Sequence, residues 1–158
     1  MFDVIIKGGK IIDGTGGDAY VADLGIRGER IEAIGNLADA EAKMVIDGAG
    51  LTVTPGFIDA HMHIESCMAA PGELAKVLAK AGTTTIIADP HEIVNVLGIP
   101  GLDYMMNAAK NTKLDIKYML PSCVPATPFE NAGAVIDAVD MEDPILRDNI
   151  LGLGEFMN

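Results

Sequence analysis

The chain has 158 residues, of which 49% are hydrophobic and 22% are charged, with a formal net charge of -12 at pH 7. This composition supports a hydrophobic core and excludes a disordered chain, and its acidity argues against binding nucleic acid or anionic membranes. The N-terminus lacks a signal-peptide pattern, and no apolar run approaches the roughly 20 residues of a membrane span. Because two cysteines are too few for a disulfide framework, we expect a cytoplasmic protein.

Residues 1–54 predict a small β-sandwich segment. Short runs of alternating apolar residues are separated by glycine-rich turns, and the runs cover residues 3–6, 10–12, 21–27 and 30–34. Alternation broken by turn residues at such short spacing is typical of antiparallel hairpins.

Residues 55–158 predict strands that alternate with helices. The predicted strands cover residues 57–60, 83–88, 115–120 and 149–154. Helical periodicity or start signals predict helices over residues 74–81, 100–109 and 132–139 and a short helix from Asp143. Alternation of this kind predicts a parallel α/β sheet. The pattern alone is compatible with a small doubly wound domain and with half of an eight-stranded barrel, which typically needs ~250 residues.

Two histidines, His61 and His63, follow the first predicted strand. Because side chains alternate along an extended backbone, both imidazoles point to the same side. The C-terminal ends of parallel strands are where α/β enzymes place their chemistry, and imidazole suits Zn, Fe, Ni and Cu. Taken alone, the pair is equally compatible with two inert, hydrogen-bonded side chains.

Further ligand-type side chains follow other strands. Glu65 follows the first strand, Asp89, His91 and Glu92 follow the second, and Glu155 follows the fourth. A solvated turn around the proline at position 90 would explain the second group by itself. Solvated surface does not readily explain charged side chains after three of the four strands, and the pattern as a whole favours a metal centre.

Several segments resemble known enzymes. Residues 54–63 resemble the first barrel strand of the amidohydrolase superfamily. More specific are four segments that resemble the bacterial and archaeal adenine deaminase family, namely residues 63–66, 88–93, 119–130 and 151–158. The resemblance extends over essentially the whole chain.

The resemblance implies a partial (β/α)8 TIM barrel of about four strands over residues 55–158, preceded by the β-sandwich segment of residues 1–54. It also implies conversion of adenine and water to hypoxanthine and ammonia by metal-activated hydroxide. The complete site would hold two divalent ions, Mn or Fe with Zn as a further option. The family draws later ligands from histidines of the fifth and sixth strands and an aspartate of the eighth, which lie beyond this sequence. We therefore expect the isolated chain to be inactive.

The resemblance also implies roles for individual residues. His61, His63 and Glu155 match metal ligands, and Glu155 is in addition a candidate for proton transfer. Asp89 and Glu92 fall in a motif that lines the same site and match catalytic positions that ligate the metal or orient water. Related dihydroorotase-like enzymes have lysine where this chain has Glu155, which favours deamination over the hydrolysis of a cyclic amide.

Two alternatives stay open. One is another amidohydrolase that acts on a cyclic amide or imine. The other is a non-catalytic metal-binding or assembly domain that uses a half barrel to dimerise. The expected partners are a small-molecule substrate, adenine, and further copies of the same chain, with no nucleic acid and no membrane.

Overall fold

The computed structural model describes residues 1–157. The chain divides into two compact units, of which the first spans Met1–Pro55 and the second begins at Gly56. Asn158, the last residue of the segment resembling the family's fourth strand, lies outside the described residues. No helix within the described range is long and apolar enough to cross a bilayer.

The first unit is a five-stranded sheet. Its strands are β1 (Phe2–Ile11), β2 (Tyr20–Arg27), β3 (Arg30–Gly35), β4 (Ala42–Asp47) and β5 (Thr52–Val53). The strand order is β3-β2-β1-β4, and β5 also pairs with β1. Strands β1 to β3 form the predicted antiparallel meander, but β4 and β5 pair with β1 in parallel. The β2–β3 hairpin is the crossover that such parallel pairing requires, which a pattern of local turns does not reveal.

One carboxylate fixes the path of the chain in this sheet. The side chain of Asp23, on β2, accepts hydrogen bonds from the backbone N–H of Gly8 at 2.8 Å and of Leu37 at 2.9 Å. Gly8 has φ +67° at an irregularity in β1, a conformation that glycine adopts readily. The bonds from Leu37 and then Gly8 hold the pKa of Asp23 below its ordinary value.

The second unit has a parallel sheet of four strands. They are β6 (Phe57–Met62), β7 (Thr83–Ala88), β8 (Asp115–Leu120) and β9 (Ile150–Leu153), in the order β6-β7-β8-β9. All neighbouring pairs are parallel. Parallel strands in sequential order, joined by helical connections, are the arrangement of the first half of a (β/α)8 barrel. The predicted partial barrel is confirmed.

Helices connect these strands. They are α1 (Pro71–Lys80), α2 (His91–Leu97), α3 (Ile99–Ala109) and α4 (Ala138–Met141), with 3-10 turns at Glu65–Cys67 and Pro144–Leu146. Helices α1 and α3 lie where the apolar periodicity predicts them. The sequence pattern does not predict helix α2, because this helix has only seven residues and follows a proline that also fits a turn.

The predicted helix over residues 132–139 is wrong. The backbone N–H of Gly133 donates to the carbonyl oxygen of Asn95 at 3.0 Å, and that of Ile136 donates to the carbonyl oxygen of Val124 at 2.9 Å. These donors are therefore unavailable for helical hydrogen bonds. The apolar residues with helical spacing therefore belong to an extended segment, and the helix that follows has only four residues.

The core of the second unit lies between the sheet and its helices. Its fully buried members include Ile64, Ile86, Leu102 and Tyr118. The hydroxyl of Tyr118 donates to the carbonyl oxygen of Met105 on α3 at 2.9 Å. Burial raises the pKa of Tyr118, so the neutral hydroxyl is a permanent donor that ties β8 to α3.

Candidate metal centre

Three ligand-type side chains meet at the C-terminal ends of β6 and β9. Atom Oε1 of Glu155 lies 2.6 Å from Nε2 of His61 and 3.1 Å from Nε2 of His63. The two imidazole rings are in edge-to-face contact, with centroids 4.9 Å apart. Since β6 and β9 are the outer strands of the sheet, the contact requires the sheet to curve as in a barrel.

A backbone carbonyl fixes the tautomer of His63. Its Nδ1 lies 2.8 Å from the carbonyl oxygen of Asp89. A carbonyl can only accept, so Nδ1 carries a proton, and Nε2 is the ring nitrogen that faces Glu155. Partial burial lowers the pKa of His63, but the bond to Asp89 and the nearby carboxylates, Glu155 first, outweigh it and raise the pKa overall.

Glu155 is held by its backbone as well as its side chain. Its N–H donates to Oδ2 of Asp89 at 2.6 Å, and its carbonyl oxygen accepts from the hydroxyl of Ser122 at 3.0 Å. The hydrogen bond with His61, aided by the other two histidines, lowers the pKa of the Glu155 carboxyl. The residue is therefore an ionised carboxylate in a fixed position.

The approach of Asp89 to β9 requires a glycine. Asp89 is the one charged residue among the fully buried side chains of the described chain, with 0% exposure. A Cβ atom added to Gly154 would lie 2.4 Å from Oδ2 of Asp89 and 2.9 Å from Oδ1. Any other residue at position 154 would push this carboxylate away from the N–H of Glu155.

Two buried polar atoms beside the cluster have no hydrogen-bond partner within residues 1–157. They are Oδ1 of Asp89 and Nδ1 of His91, which lie 3.5 Å apart. The ring of His91 packs edge-on against that of His63, with centroids 4.6 Å apart. The two atoms are within ion-pair distance of each other, and both are of the types that ligate divalent ions.

Glu92 does not join the histidines at Glu155. It accepts a short hydrogen bond from the hydroxyl of Ser66, because it lies in the first turn of α2 rather than on an extension of β7. It also faces a cavity of about 330 Å³ that is lined by His91, Glu92, Asn95, Cys123, Ala126, Glu130 and Met157. Glu92 therefore stands beside the candidate centre, at a volume suited to a small molecule.

Glu65 ties the segment after β6 to α2. Its Oε1 accepts from the backbone N–H of Ile93 at 3.3 Å, while its Oε2 is buried without a hydrogen-bond partner in the described part of the chain. The position of Glu65 after a predicted strand does not by itself indicate a role. In the structure, Glu65 links the segment that carries His63 to the segment that carries Asp89.

The local sequence pattern assigns no role to His91 or Gly154. A signal for His91 exists, because Asp89 and His91 repeat the i, i+2 spacing of His61 and His63 after the next strand. No local pattern identifies Gly154, whose requirement arises from a residue 65 positions earlier in the chain, Asp89.

The donor set fits divalent metal ions. Two groups of residues each bring three ligand atoms within 4.8 Å of one another, namely His61, His63 and Glu155, and Asp89, His91 and Glu155. Mixed imidazole and carboxylate donors suit Mn, Fe and Zn, and the unpartnered atoms of Asp89 and His91 are donors that an ion would satisfy.

The sequence is similar to those of known deaminases. It is 53% identical over 156 residues to "Adenine deaminase 2" of Desulfotalea psychrophila and 48% identical over 156 residues to an adenine deaminase of Ligilactobacillus salivarius. Each match covers 99% of this chain and 27% of the relative. The chain thus spans about a quarter of the length of the curated relatives it matches.

Solved structures and a family model agree on the superfamily. A crystal structure of D-aminoacylase has a TM-score of 0.57 and 31% identity over 75% of this chain and 29% of its own. D-Hydantoinase from Thermus sp. has a TM-score of 0.58 and 29% identity over 75% of this chain and 27% of its own. The model of the amidohydrolase family matches residues 52–154, which include the histidine pair, Asp89 and the whole four-stranded sheet. The chain therefore belongs to the amidohydrolase family.

Proposed function

We propose that this chain forms the first part of a metal-dependent adenine deaminase, which converts adenine and water to hypoxanthine and ammonia. The supporting observation is that one carboxylate oxygen of Glu155 lies within 3.1 Å of the Nε2 atoms of both His61 and His63. The similarity to adenine deaminases over 99% of the chain supports adenine as the substrate.

The proposal assigns the ligands first. His61, His63 and Glu155 would hold a divalent ion, Mn or Fe with Zn as an alternative, in a complete site of two ions. A bound ion of this kind supplies a nucleophile at neutral pH by bringing the pKa of water from 15.7 towards ~7. The hydrogen bond from His63 to the Asp89 carbonyl, at 2.8 Å, would leave Nε2 as the ring nitrogen available to such an ion.

Hydrolysis of adenine also needs proton transfers. Water adds to the ring carbon that bears the amino group, a ring nitrogen gains a proton, and the amino group leaves as ammonia after gaining another. Asp89, whose Oδ2 accepts from the backbone N–H of Glu155 at 2.6 Å, and Glu155 itself are the groups that move protons at that carbon. Glu92 faces the adjoining cavity and serves as the acid or base towards the ring.

The proposal extends to the organisation of the protein. Residues 1–54 form part of a β-sandwich and residues 55–158 the first half of the barrel. We propose that turnover needs ligands from the further length that the relatives possess, that the isolated chain is inactive, and that the protein works as a homo-oligomer in the cytoplasm.

A cyclic-amide substrate is the second candidate. The observation that favours it is the fold similarity to D-hydantoinase from Thermus sp., with 29% identity. The residues at the ends of β6 and β9 suit water activation for either reaction. The two candidates differ in the leaving group, which is ammonia in the first and a ring amide nitrogen in the second.

A chimera separates these candidates. Residues 1–158 would replace the matching quarter of the Desulfotalea psychrophila relative, and the purified Mn-loaded protein would be given adenine and hydantoin separately. We expect hypoxanthine and ammonia from adenine, with loss of activity in Glu155→Gln and full activity in the surface control Asp39→Asn. A folded chimera that opens hydantoin and leaves adenine unchanged would overturn the deaminase proposal. Steady deamination by the isolated chain would refute its proposed inactivity.

A further inference from the structure

A cavity of about 330 Å³ lies beside the candidate metal centre, and helix α2 forms part of its wall. His91 belongs to a ligand group of the centre and also lines the cavity, as do Glu92 and Asn95 of the same helix. The volume suits a small molecule. A substrate that reacts at the centre therefore has room to extend along α2.

Asn95 lies one helical turn beyond His91 on α2. Residues four positions apart project from the same face of a helix, and four residues span about 6 Å along its axis. Asn95 lines the cavity but belongs to neither of the two ligand groups. A molecule held between these two positions would have one end at the centre and the other at the Asn95 amide.

Backbone contacts fix Asn95 and leave its side chain available. Its carbonyl oxygen accepts from the backbone N–H of Gly133 at 3.0 Å and of Ala134 at 3.2 Å. A Cβ atom added to Gly133 would overlap the carbonyl group of Val96, so this close approach requires a glycine. The half-buried amide group of Asn95 makes no hydrogen bond to another residue within the described range 1–157. It is therefore a donor and acceptor available to a ligand in the cavity.

The hydrogen-bonding pattern of a carboxamide matches one edge of free adenine. In either orientation the amide presents an acceptor beside a donor, the combination with which asparagine pairs with adjacent groups on a purine edge. In adenine with a hydrogen on N9, the N3 acceptor stands beside the N9–H donor. N3 is para to the ring carbon that bears the amino group. With that carbon at the metal centre, the N3/N9 edge points away from the centre.

We propose that Asn95 binds the N3/N9 edge of adenine, donating to N3 and accepting from N9–H, and thereby selects the free base. The proposal rests on the proposed deaminase function and deepens it by naming a specificity-determining residue outside the metal ligands. A substituent on N9, as in a nucleoside, would remove the donor and occupy the space in front of the amide. The substrate class is therefore purine bases with an unsubstituted N9.

Turnover of adenine analogues by the chimera of residues 1–158 with the Desulfotalea psychrophila relative tests the proposal. 3-Deazaadenine replaces N3 with C–H. We expect Asn95→Ala to lower kcat/KM for adenine by about fivefold to a hundredfold, the effect of losing two hydrogen bonds. The loss for 3-deazaadenine should be smaller, because one of the two bonds is already absent. The altered basicity of the analogue affects wild type and variant equally and cancels in this double-mutant cycle.

A second variant, a matched control and a second analogue sharpen the test. Asn95→Asp keeps the size of the side chain but replaces the donor to N3 with a second acceptor, and it should also lower kcat/KM for adenine. Val96→Ala changes the next residue of α2, which is 60% exposed and lies outside the described cavity wall, and it should keep the wild-type kcat/KM. The wild-type chimera should turn over 9-methyladenine more than about a hundredfold less efficiently than adenine.

The outcomes separate this inference from the proposed function. Equal losses for adenine and 3-deazaadenine in Asn95→Ala, or an unchanged kcat/KM for adenine in Asn95→Asp, would overturn the role of Asn95 and leave the deaminase proposal intact. Efficient turnover of 9-methyladenine by the wild-type chimera would also overturn that role, and this measurement needs no variant to fold. A folded wild-type chimera that does not deaminate adenine would overturn the proposed function and this inference with it.

Discussion

The backbone N–H of Glu155 donates to Oδ2 of Asp89 at 2.6 Å, which joins the ends of β7 and β9 across the intervening strand β8. Asp89 also accepts at its own carbonyl from His63, so one residue is linked to the ends of both outer strands. The geometry of the candidate metal centre therefore depends on Asp89, which holds the backbone of Glu155 and the ring of His63.

Gly154→Ala should disturb this link. The new methyl group would lie 2.4 Å from Oδ2 of Asp89, and overpacking of this kind costs about 1–3 kcal/mol. We expect a lower free energy of unfolding, measured by urea denaturation, together with weaker Mn²⁺ binding. Gly152→Ala is the control, because its added Cβ meets Met119 at an ordinary 3.6 Å. Equal effects of the two substitutions would contradict the steric argument.

Tyr118→Phe should destabilise the barrel unit. The hydroxyl is buried and donates to the carbonyl of Met105, so its removal loses one buried hydrogen bond, worth about 0.5–1.5 kcal/mol. Thermal unfolding of the two proteins measures the change. Tyr104→Phe removes a hydroxyl from a side chain that is 52% exposed and should leave the midpoint unchanged. An unchanged midpoint in Tyr118→Phe would show that the hydrogen bond contributes no net stability.

Asp23→Asn should make the first unit less dependent on pH. The folded state lowers the pKa of Asp23 through its bonds from Leu37 and Gly8. The stabilisation is therefore present above the unfolded pKa of about 3.9 and is lost as the pH falls through the lower folded value. Unfolding midpoints of wild type and variant should differ most near neutral pH and converge in acid. The exposed Asp39→Asn should follow the wild type throughout, and a constant gap at all pH values would refute the electrostatic cause.

Mn²⁺ should stabilise the chain against heat. An ion that binds only the folded state at 100 times its Kd adds about 2.7 kcal/mol, which raises the unfolding midpoint in a scan and is reversed by a chelator. Glu155→Gln should remove most of this rise, because it weakens a ligand common to both ligand groups. Mg²⁺ should have a smaller effect, since it prefers oxygen ligands to imidazole. An equal rise in Glu155→Gln would place the ion elsewhere.

The strands and candidate ligands of the second unit could be predicted because their signals are local. Alternation places His61 and His63 on one face, and a run of β-branched residues marks β7. The parallel arrangement then brings the strand ends together, which is why Glu155 could be associated with a histidine pair 92 residues earlier.

The features that the sequence does not predict are decided by tertiary contacts. The extended path of residues 132–139 depends on the Asn95 and Val124 carbonyls, which lie far away in sequence. The parallel pairing of β4 with β1 depends on how the intervening hairpin folds. Helix α2 turns Glu92 towards Ser66, a direction that cannot be derived from the spacing of the motif alone.

The contact between Gly154 and Asp89 makes the two positions inseparable in any redesign of this site. A library that varies the residue before Glu155 while keeping Asp89 would lose the carboxylate's approach in nearly every member. Shortening Asp89 would free position 154, but the N–H of Glu155 would then lose its acceptor. New specificities are therefore better sought at positions along the cavity wall, such as Ala126 or Glu130, which leave this pair unchanged.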